Sequence, residues 1–367
     1  MEDIRIATNT WNVPPQITGG LDVHVWELSK ALSSFGAKID VYYPGDREKE
    51  VNFNLIPMEK ERSLDYYGVS KINKEIFQIL NKKRSIDLFH SQDWLGVEAG
   101  YRSKKYLEVP WIFSCHSLEW MRTGRGEENP KICEMERLGI EKSDAVITVS
   151  EWMKEKILED YDVAEDKIRV VPNGYRDLEE GDISPREEHG IGEDLFVLYL
   201  GRLSEQKGIR YLLYAAAKIL KDHNNVKFVI GGKGPLKGSL KKFTNLLGIQ
   251  ENVLFVGFIP EQDIGSYYSE ADVFISPSLS EPFGMTVLEA WNKQTKVIST
   301  PCGAHEFIDN ESDLIKVRRR NSEDIYKSLS SLIKNRGDLK AGNPKEKEDT
   351  WKKAAEETLK VYRDVLA

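Results

Sequence analysis

Cysteine is nearly absent from this chain, with only Cys115, Cys133 and Cys302 among 367 residues. Their odd number, wide separation and lack of metal-ligand spacing argue for reduced core thiols against a disulfide framework, and indicate no zinc or other metal site. Also missing is any apolar run of the roughly 18 residues a spanning helix needs. The start Met1-Glu2-Asp3-Ile4-Arg5 has no signal-peptide pattern, so a cytoplasmic protein is expected. Positive charge is not in excess: the net charge of −8 gives no overall drive toward nucleic acid or anionic lipid. No G-x-G-x-x-G follows the first strand-like run, which speaks against an NAD-dependent oxidoreductase.

What the chain does contain is length and alternation. A chain of 367 residues with 40% hydrophobic and 31% charged residues suits two globular domains. Ile4 to Thr8 reads as a strand, followed by a loop that ends in Gly19-Gly20. A helix with Val23, Val25-Trp26, Leu28, Ala31-Leu32 and Phe35 on its stripe comes next, closed by Gly36 before the strand Lys38 to Tyr43. Strand, glycine loop, helix and strand form a βαβ order. Further strands are expected at 55–58, 87–90, 111–115, 145–149 and 167–171, alternating with helices. Tyr66 to Arg84 reads as a basic amphipathic helix, whose charged face is either solvated or a lipid contact. Trp11, Trp94 and Trp120 fall in or beside strand-end loops, where a flat apolar face suits a sugar ring. Asp160-Tyr161-Asp162 closes a helix and reads as a solvated end. The acidic, glycine-containing segment from Arg176 to Glu193 is expected to be a hinge.

The second half repeats the alternation. Strand 195–200 leads into Gly201-Arg202-Leu203-Ser204-Glu205-Gln206-Lys207-Gly208 and a helix from Ile209, a glycine-containing loop with two cations that suits phosphate. Strand 227–231 leads into Gly231-Gly232-Lys233-Gly234-Pro235-Leu236. Strand 272–276 runs into Ser278-Leu279-Ser280-Glu281-Pro282-Phe283-Gly284-Met285-Thr286-Val287-Leu288-Glu289. A helix beginning near Gly284 exposes unpartnered amides to an anion, with Glu281 before its first turn and Glu289 inside it. Alone, these glutamates fit ligand-hydroxyl acceptors and ordinary helix charges equally well. After strands at 296–299 and 314–317 and a charged stretch from Arg336 to Asp349, Thr350 to Ala367 reads as a closing helix.

Taken in order, Gly19-Gly20, His116, Arg202 with Lys207, and Glu281 with Glu289 resemble the motifs of retaining glycosyltransferases of the two-domain GT-B type, the group 1 or family 4-like enzymes. His90-Ser91-Gln92-Asp93-Trp94 resembles a run found in glycogen and starch synthases. Gly303-Ala304-His305-Glu306-Phe307 resembles a Gly-Gly-x-x-Glu segment with Ala304 in place of glycine, and Lys233 stands where relatives carry an acid or a small residue.

The resemblance implies two Rossmann-like doubly wound α/β domains with parallel sheets facing a cleft. Residues 1–174 would form the acceptor domain, with helix 350–367 packing back on it, and residues 175–349 the nucleotide-sugar domain. It implies transfer of a hexose, glucose being favoured, from UDP- or ADP-glucose to a glucan-like carbohydrate, with retention and no required metal or other cofactor. A mannosyl or other hexosyl transfer to a small molecule or lipid is the rival, and an inactive nucleotide-sugar binding protein stands further off. His116, Glu281, Arg202 and Lys207 are the expected catalytic residues. Gly19, Gly20, Asp93, Gly232, Gly234, Phe283, Gly284, Met285, Thr286 and Glu289 are expected to bind the donor.

Overall fold

The computed structural model describes residues 4–14, 16, 19–45, 51–59, 63–83, 85–308, 312–335, 339, 341–342 and 350–367. The chain divides into two compact units, Met1–Gly174 with Asp349–Ala367, and Tyr175–Glu348. Arg84 and most of the stretch from Arg336 to Asp349 lie outside the described residues.

In the first unit the order is β1 (Arg5–Asn9), α1 (Gly20–Ser34), β2 (Lys38–Pro44), β3 (Asn54–Met58), α2 (Tyr66–Lys83), β4 (Leu88–Gln92), α3 (Val97–Leu107) and β5 (Trp111–Cys115). Then come α4 (Glu119–Thr123), α5 (Pro130–Lys142), β6 (Ala145–Thr148), α6 (Glu151–Asp160) and β7 (Ile168–Val170), with the chain's last helix also belonging here. All strand pairs are parallel, in the order β3-β2-β1-β4-β5-β6-β7. Strands covered on both faces carry few polar positions, and β5 (Trp-Ile-Phe-Ser-Cys) is buried at every residue. The apolar stripe of α2 packs inward through Val69, Ile72, Ile76 and Leu80, leaving Lys71, Lys74, Lys82 and Lys83 outside.

In the second unit α7 (Pro185–Glu188), β8 (Leu195–Leu200), α8 (Ile209–Asp222), β9 (Val226–Gly231), α9 (Lys237–Leu247), β10 (Val253–Gly257) and α10 (Glu261–Glu270) precede β11 (Val273–Ser276). They are followed by α11 (Met285–Asn292), β12 (Lys296–Ser299), β13 (Leu314–Lys316) and α12 (Ser322–Lys334). The parallel sheet has the order β10-β9-β8-β11-β12-β13. Leu195, Val197, Phe228, Ile230, Val273 and Ile275 meet Leu212, Ala216, Ile219 and Leu329 in one core. Buried at about 25 cal/mol per Å2, such side chains supply the main stabilisation of each unit.

One expectation changes. The polar segment from Arg176 to Glu193 is not a free hinge but is tied to its own unit. Arg176 bonds Glu289 and Glu261, Gly181 bonds Ser266, and Arg186 bonds Glu270 and Asp272. Acidic composition suggested a hinge, whereas the segment's own arginines find carboxylate partners 85 or more residues away. The closing helix α13 (Thr350–Leu366) packs on α1, with Trp351 seated against Gly174 and the Tyr362 hydroxyl 2.7 Å from His90 Nδ1.

Candidate functional site

In open parallel sheets ligands collect beyond the carboxyl ends of the strands where the strand order reverses. That point lies between β1 and β4 in the first unit and between β8 and β11 in the second. The candidate residues follow these strands, β5 and β9.

In the second unit the loops after β8 and β11 are stitched together. The Leu279 amide donates to Gln206 O at 2.7 Å, and Gln206 Nε2 donates to Ser280 O at 3.2 Å. Gly208 sits at φ +62°, and a Cβ there would overlap the Pro277 carbonyl oxygen, so glycine allows the loops to close on each other. Lys207 Nζ donates to Glu281 Oε2 at 2.6 Å, and Ser278 Oγ donates to the same oxygen at 3.1 Å. Arg202 is exposed, and its guanidinium has no hydrogen bond or ion pair among the described residues. A paired lysine and carboxylate, with an unpaired guanidinium on the lysine's own loop, suit an anionic group that carries hydroxyls.

The glycine loop after β9 leans on the loop after β8, with the Leu203 amide donating to Lys233 O at 2.8 Å. A Cβ at Gly232 or Gly234 would strike the backbone of Gly201 or Leu203, so this loop-on-loop contact already accounts for both glycines. Lys233 Nζ lies 4.8 Å above the ring of Phe258, which is half exposed.

Gly284 caps α11 at φ +95°, and a Cβ there would come within 2.8 Å of Cys302 Sγ. The first-turn amides of Met285 and Thr286 have no intrahelical acceptor. Phe283 is buried edge-on to Phe307 at 5.8 Å, and its carbonyl accepts from the Ala304 amide at 2.7 Å, so its side chain supports the turn. Burial and the Glu281 charge push the Cys302 thiol up to about 12, which leaves it protonated and unreactive.

Glu289 is 3% exposed. Its Oε1 accepts from Arg176 Nε at 2.9 Å and its Oε2 from Tyr268 OH at 3.3 Å. Burial pushes the Tyr268 phenol well up, keeping it a donor. Arg176 and Tyr268 escaped the reading of the sequence because their partner is distant in the chain.

In the first unit Gly19 precedes α1 in extended backbone, with no neighbour within 4 Å of an added Cβ, and Gly20 is the first helical residue. Asp22 ties the preceding loop down by accepting from Thr10 Oγ1 at 3.1 Å and from Asn12 N and Nδ2 at 3.1 and 3.0 Å. One turn along α1, the ring of His24 meets the ring of His116 edge-on at 4.3 Å. His24 Nδ1 bonds Asn173 Oδ1 at 2.7 Å, while its Nε2 is buried without a partner.

His116 follows β5, and Asp93 follows β4 at φ +47°. Asp93 Oδ1 accepts from the His116 amide at 2.7 Å and from the Ser117 amide at 3.4 Å. Its carboxylate therefore holds the loop that carries His116. Arg122 ties Asp93 (3.8 Å), Glu119 (3.0 Å) and Glu136 (2.7 Å) together beneath this loop. Three carboxylates around one cation leave excess negative charge, and burial pushes Glu136 up to about 7 and Asp93 above the usual range. Burial holds His90 and His116 down at about 3 and His24 well below the usual range, so all three are neutral at physiological pH. Arg122 lies within the motif run 116–122, but Glu136 on α5 carried no sequence signal.

The tryptophans divide by burial. Trp94 is buried in the core, against the expectation of an open stacking face, because the short 3-10 turn Asp93–Gly96 that follows β4 is buried at every residue. Trp120 is capped by Arg125 at 4.2 Å and donates from Nε1 to Asp160 at 2.8 Å. Trp11 is half exposed. No group of three or more metal-ligating side chains occurs among the described residues. No described helix is long and apolar enough to cross a membrane.

Residues 18–177 match the model of glycosyltransferase family 4, and residues 183–358 that of glycosyl transferases group 1. An uncharacterized glycosyltransferase of Methanocaldococcus jannaschii is 32% identical, over 98% of this chain and 98% of the relative. The chain belongs to the group 1 glycosyltransferases. This glycosyltransferase is also 26% identical to the alpha-maltose-1-phosphate synthase of Mycolicibacterium smegmatis, over 99% of the chain and 100% of the relative. Among solved structures, the sucrose-phosphate synthase of Thermosynechococcus elongatus superposes with a TM-score of 0.80 at 20% identity, covering 99% of this chain and 96% of that one. At that identity the likeness shows the fold, two Rossmann-like parallel-sheet domains of the GT-B type.

Proposed function

We propose that this glycosyltransferase moves a hexose, with glucose favoured, from a nucleoside diphosphate sugar such as UDP- or ADP-glucose to a carbohydrate acceptor of the glucan class, with retention at the anomeric carbon. The observation that carries the reading is the stitched pair of loops after β8 and β11, which brings Lys207 and Glu281 to 2.6 Å, with Arg202 on the same loop as Lys207.

Departure of the diphosphate leaves negative charge on its oxygens while an oxocarbenium-like centre develops on the sugar. Charge placed beforehand where the leaving group forms lowers that barrier by several kcal/mol, on the order of 3 for one good donor. Arg202, Lys207 and the Met285 and Thr286 amides are assigned to the diphosphate, and Glu281 to hydroxyls of the transferred sugar. Binding of the phosphate would draw Lys207 from Glu281 and free the carboxylate's second oxygen. Glu289, held by Arg176 and Tyr268, is assigned to the ribose, and the Gly19 and Gly20 region with His116 to the sugar end. Asp93 supports His116. The leaving phosphate itself accepts the acceptor's proton, and the same-face attack that follows preserves the anomeric configuration. In this reading side-chain cations and helix amides, rather than a metal, meet the diphosphate charge.

A second reading, transfer to a small sugar phosphate, is favoured by the names of two similar proteins, an alpha-maltose-1-phosphate synthase and a sucrose-phosphate synthase. Purified protein incubated with UDP- and ADP-sugars, against a glucan and against sugar phosphates, separates the two by which acceptor stimulates nucleoside diphosphate release. NMR of the product's anomeric centre tests retention. No release from any donor would overturn the proposal.

A further inference from the structure

The hydrogen bonds around His116 leave only one way to place its proton. Thr8 Oγ1 lies 2.8 Å from the His90 carbonyl oxygen, which can only accept, so the threonine proton is committed there. The remaining contact of Thr8 Oγ1, at 3.3 Å from the Gln92 side chain, must then be one in which threonine accepts. Gln92 therefore turns its NH2 group to Thr8 and its carbonyl oxygen to His116, whose Nε2 is 2.8 Å away. A carbonyl oxygen facing Nε2 requires the N–H at Nε2. His116 Nδ1 makes no hydrogen bond to the described residues and is not among the buried unpartnered atoms, so it reaches solvent.

From this chain of donors we infer that Thr8 and Gln92 are positioning residues that lock His116 as the Nε2–H tautomer, so that the bare Nδ1 accepts a hydrogen bond from a hydroxyl of the transferred sugar and disfavours a carboxylate at that place. The substrate consequence rests on the function proposed above, and the tautomer does not. Burial keeps the imidazole neutral near pH 7, so the face offered to the sugar is a lone pair and not a cation. The edge-on ring of His24, held by Asn173, limits rotation of the His116 ring from the other side. A neutral hexose can donate to Nδ1. The corresponding uronate brings an anion with no proton to donate, and a buried polar mismatch of this kind costs roughly 100-fold in turnover or more.

The test uses the full chain with 15N-labelled histidine, free of ligand. The expected spectrum shows His116 Nε2 at the shift of a protonated imidazole nitrogen and Nδ1 at that of an unprotonated one. The reverse assignment, or a fast mixture of tautomers, overturns the inference. Thr8→Val and Gln92→Leu should each convert the locked signal into a mixture, whereas a merely structural role for either residue would leave the tautomer unchanged. Turnover of UDP-glucose should exceed that of UDP-glucuronate by roughly 100-fold, and the preference should shrink in Gln92→Leu. Equal turnover overturns the substrate consequence. If no UDP- or ADP-sugar turns over with any acceptor while the tautomer is as expected, the functional reading falls and the assignment of Thr8 and Gln92 stands.

Discussion

Lowering the pH from 7.5 to 5 should destabilise the first unit through its buried histidines. His90 and His116 are held at about 3 in the folded state, against about 6.5 in an unfolded chain. The unfolded chain therefore binds more protons between those values, and stability falls as the pH drops through this window. By linkage each of the two removes about 2 kcal/mol at pH 5, and His24 acts in the same direction. Glu136 opposes them. Its folded value of about 7 lies above its ordinary value of 4.5, so the folded state takes up the proton first as the pH falls. Protonating it returns about 2.5 kcal/mol over the same range, and Asp93 acts in the same sense. The two histidines set against Glu136 leave a net loss of about 1.5 kcal/mol, enough to lower a urea midpoint by roughly 0.5–1 M. Seven of the eight tryptophans, all but Trp291, lie in the first unit, so intrinsic fluorescence during urea unfolding reads this unit selectively. His90→Gln should flatten the dependence by the share of one histidine, about 2 kcal/mol between the two pH values. Equal pH dependence in the wild type and in His90→Gln would refute the argument, whatever the absolute stability of the variant.

Three further outcomes are expected. Glu281→Gln should lower turnover at least about 100-fold while leaving the thermal midpoint within a few degrees, since the isosteric amide oxygen can still accept from Lys207 and Ser278; parallel kinetics and calorimetry check this. Arg176→Leu strands the buried Glu289 with only Tyr268 and should destabilise the second unit by about 3 kcal/mol, with part of the loss recovered in Arg176→Leu combined with Glu289→Gln, read by hydrogen exchange in α10 and α11. Gly284→Val forces a branched side chain into left-handed backbone beside Cys302 and should raise the KM for donor more than tenfold through displacement of the α11 amides. An unchanged KM would count against α11 as the diphosphate site.

The alternation of short β-branched runs with amphipathic helices was enough to read two parallel α/β domains, because sheet strands covered on both faces leave an almost unbroken apolar record. Strand limits differ from that reading by one or two residues, where end residues are held by backbone pairing and not by burial. The motif residues were legible for a similar reason. Gly208, Gly232 and Gly284 stand where a side chain would collide or the backbone is left-handed, and Arg202, Lys207 and Glu281 fall close to them in the chain. Trp94 was misplaced because loop position alone does not tell which way a ring turns.

By itself the sequence determined the fold class, the order of the strands along the chain and which residues follow each strand, since these depend on local periodicity and spacing. Only the tertiary structure decided who meets whom. The β8–β11 neighbourhood brings Lys207 to Glu281 across 74 residues, Arg176 reaches Glu289 across 113, and Arg122 gathers Asp93, Glu119 and Glu136. Thr8 and Gln92, 84 residues apart, orient the proton of His116. Hydrogen bonds and ion pairs act over a few ångströms, whatever the separation along the chain, so these partnerships leave no mark in a local pattern.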